Sequence, residues 1–127
     1  MKVMKAKAME NHKLVLPEDL NQFGFLFGGN LLKWVDEYAW IAASLDYPGC
    51  NFVTIGMDRV EFKKSVREGT ILKFAVKKTE TGTTSVRYRV HVYHGNSSMA
   101  DKQLIFATHV TFVRVDELGN KTPLPKK

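Results

Sequence analysis

The residues of this sequence that could do chemistry lie in one segment, 17–43, and the first of them are Gly28 and Gly29. The pair stands directly before an apolar run with helical spacing, and the N-terminus of a helix presents unpaired backbone N–H groups and a partial positive charge. Glycines let a ligand oxygen approach such groups closely, as an oxyanion hole requires. A tight turn or close packing would use the same pair, so both interpretations stand at this point.

Asp36 is the second candidate, because it lies among apolar residues. At 100° per residue it shares a helix face with Leu32, Ala39 and Ala43. A carboxylate in such surroundings needs a partner or a function. An ion pair with Lys33, three residues earlier, or a position at the edge of the polar stripe would also account for it.

The spacing of Gly29 and Asp36 determines whether one copy of the chain can bring them together. Gly29 and Asp36 are seven residues apart, which is ~10 Å along a helix axis and more than an aspartate side chain can span. If they cooperate, the helix start of one copy must meet the helix middle of another. Two antiparallel helices related by a two-fold axis would do this, so we expect a symmetric dimer with two equivalent sites.

One long helix is predicted to carry these residues. It covers residues 30–45, with Asn30 as its N-cap and Pro48 and Gly49 beyond its end. Most of the remaining helix surface is apolar, so we expect burial on most sides. The narrow polar stripe consists of Lys33, Glu37, Trp40 and Ser44.

The rest of the chain is rich in β-branched and aromatic residues and predicts strands. A short strand near residues 13–16 precedes the helix, and four follow it at 52–62, 71–78, 85–93 and 103–115. The segments 79–84 and 94–102 are predicted hairpin connections, so we expect antiparallel pairing with at most one crossover. The fold class is therefore α+β, with a curved antiparallel sheet around one helix.

Composition limits the classes of function. The 127 residues, 44% hydrophobic and 25% charged, predict one domain, 1–127, with a loose tail at 121–127. No apolar run is long enough for a membrane span, and residues 1–11 lack a secretory core, so we expect a cytoplasmic protein. The single Cys50 permits neither an internal disulfide nor a thiolate zinc cluster. We expect no metal site, because four histidines show no paired ligand spacing: His12, His91, His94 and His109.

The segment PEDLNQFGFLFGGNLLKWVDE, residues 17–37, resembles the signature of the hotdog-fold acyl-CoA thioesterases, in the acyl-CoA hydrolase branch. The matching positions are Asn21, Gly24, Phe27, Gly28, Gly29, Leu32, Asp36 and Glu37. The similarity continues through VTIGMDRVEFKKSVREGTIL, TGTTSVRYRVHVY and HVTFVRVDELGNKTPLP, and so covers nearly the whole chain.

This resemblance implies a helix wrapped by a curved antiparallel sheet, homodimers that often assemble into hexamers, and hydrolysis of acyl-CoA to a free acid and CoA. Asp36 would be the acidic catalytic residue, as general base or as nucleophile. Asn21 of the facing subunit would be its polar partner, and the Gly29 N–H would polarise the thioester carbonyl. No cofactor is implied, since CoA is part of the substrate.

The turn after residue 81 carries a departure from the family pattern. Where the family commonly carries Arg or Lys after Thr81 and Gly82, this chain has Thr83, so a basic contact to a CoA phosphate is absent or moved. Ordinary surface charge is the alternative for each of the possible replacements, Arg59, Arg67, Arg87 and Lys63. The residues expected to bind substrate are Gly28, Thr84, Ser85 and Arg59.

Two other classes of function are weighed against hydrolysis. A non-catalytic acyl-CoA or acyl-carrier binding module of the same fold is suggested by the altered Thr83 position. A nucleic-acid binder rests on the net charge of +6 and ranks well below, because the basic residues form no block longer than a pair. Its supporting stretch would be Arg87, Arg89, His91 and Tyr93. We expect neither nucleic acid nor a membrane as a partner.

Overall fold

The structure, a computed structural model, describes residues 7–96 and 103–126. It confirms the α+β class, with one long helix against a five-stranded antiparallel sheet. The elements are β1 (Met9–Leu14), a 3₁₀ turn (Pro17–Asp19), α1 (Gly28–Asp46), β2 (Asn51–Phe62), β3 (Ile71–Thr81), β4 (Ser85–His94) and β5 (Leu104–Val115). The first strand lies earlier than predicted, and most of the predicted 94–102 connection lies outside the described residues.

The strands are ordered β1-β3-β4-β5-β2, and all neighbours are antiparallel. The hairpin pairs β3–β4 and β4–β5 agree with the prediction. The expectation of at most one crossover was wrong, because two connections join strands that are not neighbours. The chain passes from β1 through α1 to β2 at the opposite edge, and from β2 back to β3.

The core lies between α1 and the inner face of the sheet. On the helix the buried residues are Leu31, Trp34, Val35, Ala39, Ala42 and Ala43. On β3 and β4 they alternate with outward-facing residues that are mostly polar, and the inner set is Leu72, Phe74, Val76, Val86, Tyr88, Val90 and Val92. Lys33, Glu37 and Trp40 are exposed as predicted, and Ser44 is half-buried. No helix in the described residues is long and apolar enough to cross a bilayer.

The helix start differs from the prediction. The helix begins at Gly28, so Asn30 lies inside the first turn instead of at the N-cap. The Asn30 Nδ2 donates to the Asp19 carbonyl at 3.0 Å, and the Phe27 N–H donates to the same oxygen at 3.0 Å. The polar side chain therefore holds the preceding loop against the helix and caps nothing.

The C-terminal segment is attached and not loose. Within the described residues 121–126, the Thr122 N–H donates to the Arg114 carbonyl at 3.0 Å, and the Leu124 N–H to the Thr83 carbonyl at 2.9 Å. These two bonds hold the segment against the end of the sheet, close to the β3–β4 turn. Composition predicted a tail because prolines and lysines form no regular element, but backbone bonds to the sheet do not require one.

Candidate active site

A cleft of about 310 Å³ lies at the N-terminal end of α1. Its lining includes Asn21 from the loop before the helix, Gly28 at the helix start, Phe62 at the end of β2 and Lys63 just after it. The topology produces this meeting, since the loop returns to the helix start through its bond with Asp19 and β2 ends beside it. Two residues singled out by the sequence are therefore brought together.

The orientation of the Asn21 amide is fixed by its own loop. Its Oδ1 accepts hydrogen bonds from the N–H groups of Phe23, at 2.9 Å, and Phe25, at 3.1 Å. Because Oδ1 is occupied twice, the group left for a ligand is Nδ2, which donates to no acceptor among the described residues. Asn21 can thus offer a hydrogen bond to a ligand oxygen or to a water molecule.

The helix start offers further donors. Within the described chain, the N–H groups of Gly28 and Gly29 donate to no backbone or side-chain acceptor. Phe27 at the cap position cannot bind them through its side chain. A Cβ added at Gly29 would lie 2.7 Å from the Phe27 ring, so glycine is what lets the ring stay in place. The result is an uncapped positive helix end with two unpaired donors.

Asp36 lies elsewhere, on the side of α1 that faces β2. It is half-buried, and Thr54 on β2 donates its hydroxyl to Asp36 Oδ1 at 2.7 Å. Trp40, one turn later, donates its indole N–H to the Phe52 carbonyl at 3.1 Å. These two bonds fix this face of the helix against the first half of β2.

The sequence reasoning missed Thr54. A signal was available, because Phe52 is buried and alternation along a strand places residue 54 on the same inner face. A lone threonine in a strand is common, however, and nothing local marks this one as a partner of a carboxylate. Asp36 does not line the cleft that Asn21 and Gly28 share.

The other predicted substrate-binding residues do not join either group. Arg59, with φ at 54°, occupies a register shift in β2 between Asp58 and Glu61, on the exposed edge. Ser85 begins β4 on the face opposite to the buried Val86. Thr84 contributes its backbone carbonyl to the Arg114 N–H at 2.8 Å.

The remaining basic candidates for a phosphate contact all have partners of their own. Arg87 pairs with Asp58 at 2.7 Å and with Glu80 at 3.5 Å. Lys63 pairs with Glu61 at 3.8 Å. The Arg67 guanidinium lies 4.8 Å from the centre of the Phe25 ring.

The perturbed ionisable groups lie away from these donors. Burial lowers the pKa of both His91 and His109 on the outward face of the sheet, and nearby arginines lower it further. Burial and then a hydrogen bond to the Asp46 carboxylate raise the pKa of Tyr88. No group of three or more metal-ligating side chains occurs in the part of the chain that the structure describes.

Comparison with known proteins identifies the class. The sequence profile of the thioesterase superfamily matches residues 23–100, more than half of the chain. The fold matches a hexameric hotdog-fold thioesterase of Campylobacter jejuni, with a TM-score of 0.78 and 32% identity over 91% of this chain and 88% of that one. The chain belongs to the thioesterase superfamily and has the hotdog fold.

Two further relatives are named as acyl-CoA hydrolases. The uncharacterized acyl-CoA thioester hydrolase YkhA of Bacillus subtilis is 30% identical over 112 residues, covering 88% of this chain and 64% of that protein. An acyl-CoA hydrolase of Staphylococcus aureus, solved with coenzyme A as a variant, has a TM-score of 0.84 and 28% identity. That match covers 93% of this chain and 70% of the Staphylococcus chain.

Proposed function

We propose that this chain hydrolyses acyl-CoA thioesters to a carboxylic acid and CoA, at sites built jointly by two copies. The observation that carries the proposal is the uncapped start of α1, where the Gly28 and Gly29 N–H groups are unpaired beside the Asn21 amide. Attack on a thioester carbonyl places negative charge on its oxygen. Donors fixed before the reaction stabilise that charge, because they need no reorganisation as it develops.

Asp36 supplies the second half of the chemistry. Its carboxylate either removes a proton from the attacking water or attacks the carbonyl carbon itself. In both routes the C–S bond breaks and CoA leaves as the thiol after protonation. In the second route water then hydrolyses the anhydride formed on Asp36, which releases the carboxylic acid and restores the carboxylate. The bond from Thr54 holds Oδ1, which leaves the other carboxylate oxygen for the reaction. No cofactor or metal enters this scheme.

A second copy is needed because Asp36 and the helix start are ~10 Å apart along α1. Strand β2 supports the proposed dimer, since it is an unpaired sheet edge with large apolar side chains exposed. Joining β2 to its two-fold copy would set the helices side by side and antiparallel. The exposed apolar residues on β2 are Val53, Ile55, Val60 and Phe62.

Hexamers built from such dimers are part of the proposal, because the Campylobacter relative is hexameric. We propose the cytoplasm as the location and neither nucleic acid nor a membrane as a partner. The dispersed basic charge supports the second statement, since it forms no block that would bind a polyanion.

The Staphylococcus relative supports the assignment of residues. Two of its solved variants replace an asparagine and an aspartate that are 15 positions apart, the same separation as between Asn21 and Asp36. A third replaces a threonine 17 positions beyond that aspartate, and Thr54 follows Asp36 by 18. Because this chain spans 64% of the length of YkhA, its own activity must be measured.

The decisive measurement is release of free thiol from a panel of acyl-CoAs of different chain length. We expect Asp36→Asn to lower kcat by about 10²- to 10⁴-fold, as loss of an acid–base group does. Glu37→Gln, one residue along on the exposed stripe, is the matched control and should keep the wild-type rate. Tight acyl-CoA binding without thiol release would show a binding module instead of an enzyme.

Shared sites can be tested by mixing inactive chains. Asn21→Ala and Asp36→Asn each damage every site of a homodimer, but a mixed dimer has one site in which both residues are intact. Co-expression of the two variants should therefore restore about a quarter of the wild-type activity, given random pairing. Complete inactivity of the mixture would contradict composite sites.

A further inference from the structure

Strand β3 carries a lysine in a row that is otherwise apolar. Its inward-facing residues Leu72, Phe74 and Val76 are all buried, and alternation makes Lys78 the next member of this row. Its neighbour across the β3–β4 pair is Tyr88, which is also buried. An ammonium group that turns towards a core is costly unless it is compensated by a partner of opposite charge.

The contacts of Lys78 do not supply that charge. Its Nζ donates to the Tyr47 hydroxyl at 3.2 Å and lies 4.7 Å from the centre of the Tyr47 ring. It forms no ion pair with a carboxylate of the described residues. The two nearby carboxylates have other donors, since Glu80 pairs with Arg87 at 3.5 Å and Asp46 accepts from Tyr88 at 2.7 Å.

The Lys78 side chain lines a cleft of about 620 Å³ between the β3–β4 turn and the C-terminal segment. The end of β3 contributes Glu80 and Thr81, the turn contributes Thr83, and the C-terminal segment contributes a second cation, Lys126. The volume is within the range of small-molecule sites, roughly 300–1,000 Å³. A fixed ammonium group with hydroxyl groups and a second cation around it suits a phosphate group.

The distance along α1 between Asp36 and this cleft can be compared with the length of a CoA molecule. Tyr47, below Lys78, follows Asp36 by 11 residues, or ~16 Å along the axis of α1. In CoA about 13 bonds separate the sulfur from the first phosphorus, comparable to a little over four residues of extended backbone, or about 15 Å. The length of this linker is therefore comparable to the axial distance between Asp36 and the end of α1 beside the cleft.

We propose that Lys78, positioned by Tyr47, binds a phosphate group of the CoA part of the substrate in this cleft. The inference rests on the proposed thioesterase function, and it assigns to Lys78 the recognition of CoA and not the chemistry. Lys78 should then determine how well the enzyme distinguishes an acyl-CoA from a thioester without phosphates.

The test compares two substrates with the same acyl group, an acyl-CoA and the N-acetylcysteamine thioester. We expect Lys78→Gln to lower the ratio of their kcat/KM values by about tenfold, mainly through a higher KM for acyl-CoA, as loss of one charge-assisted bond predicts. Lys78→Arg should restore most of the ratio. Lys77→Gln is the matched control, because the adjacent Lys77 belongs to the outward face, opposite Arg89.

The controls separate this inference from the proposed function. If the Lys78→Gln ratio equals that of the wild type while the melting temperature is unchanged, the inference is wrong and hydrolysis stands. If no acyl-CoA releases thiol, the proposed function fails, and titration calorimetry with CoA decides the inference by its dependence on Lys78. A Lys78-dependent affinity for adenosine 3′,5′-bisphosphate without one for CoA would assign the cleft to free nucleotides and overturn the inference.

Discussion

The two edges of the sheet differ in a way that bears on function. Strand β1 has six residues whose exposure alternates, with Glu10 and His12 on the exposed side. Strand β2 has twelve residues, nearly all exposed, including large apolar ones such as Ile55, which is 58% exposed. A short edge with charged side chains resists pairing, whereas a long apolar edge favours it. Of the two edges, β1 is therefore the one that resists pairing, and β2 the one that favours pairing with a second surface.

Candidate catalytic residues lie on the side of the β2 edge. Thr54 belongs to β2, and the helix face with Asp36 and Trp40 is bonded to that strand. Strand β1 contacts other residues of α1, since the Tyr38 hydroxyl donates to the His12 carbonyl at 3.5 Å. Burial of the β2 edge and completion of the active site would thus be one event, which makes activity depend on assembly.

The largest effect should come from a charge on the apolar edge. Ile55→Lys places an ammonium group in the proposed interface, so we expect monomers in size-exclusion chromatography with light scattering. Since a monomer has no composite site, thiol release from acyl-CoA should fall by at least about 100-fold. The matched change on the other edge is Leu14→Lys, at a side chain that is 47% exposed.

Leu14→Lys should leave both the oligomeric state and the rate at wild-type values. The comparison of the edges would be refuted by an active Ile55→Lys monomer, or by loss of assembly in the Leu14→Lys variant. Circular dichroism of both variants checks that the fold is retained.

A smaller effect is expected from Thr54→Val. The change removes the donor to Asp36 Oδ1 and frees the carboxylate to rotate, so we expect kcat to fall about tenfold while KM changes little. Thr54→Ser keeps the hydroxyl and should recover most of kcat. Thr111→Val, on the outward face of β5, serves as a control, and equal kcat in Thr54→Val and wild type would remove Thr54 from the mechanism.

The smallest effect concerns the outward face between the two edges. Burial lowers the pKa of His91 and His109 below the ordinary value of 6.5, so the unfolded chain binds protons more readily than the folded one. Stability should therefore be complete above about pH 6.5 and decline as the pH falls towards the lowered pKa values. Melting temperatures between about pH 7.5 and 5.5 should show this slope, also in Ile55→Lys.

Replacing both histidines by glutamine should flatten that slope. Because neither side chain belongs to an edge, the slope should be the same for monomers and assemblies. A slope present in the assembly and absent from the Ile55→Lys monomer would instead link these histidines to the interface.

Local sequence patterns were sufficient to predict the helix and the strands of this fold. They were insufficient to predict where these elements end and how the strands are ordered in the sheet. Alternation in β3 and β4 and the apolar run of α1 were readable, because each reflects burial repeated over many residues. The role of Asn30 was not, since an asparagine near a helix start binds either the helix or the preceding loop. The second crossover was missed because the local sequence of a strand does not determine which other strands pair with it.

The residues of the candidate site also fall into two groups, those that the sequence predicted and those that only the structure shows. Asn21, Gly28, Gly29 and Asp36 were found because a sequence motif places them at fixed spacing. Thr54 was missed, since its meaning depends on a contact between residues 18 positions apart. Lys78 was read as part of a strand, and its significance depends on the tyrosine at the end of α1 that it contacts.

The sequence by itself determined that one amphipathic helix and several strands form, and which residues around the helix start could do chemistry. These properties follow from local spacing, propensity and burial. The tertiary structure alone decided that β2 is an exposed edge, that Asp36 contacts Thr54, and that Lys78 turns inward over Tyr47. Each of these depends on segments distant in the chain meeting in space, and packing energy selects such meetings for the molecule as a whole.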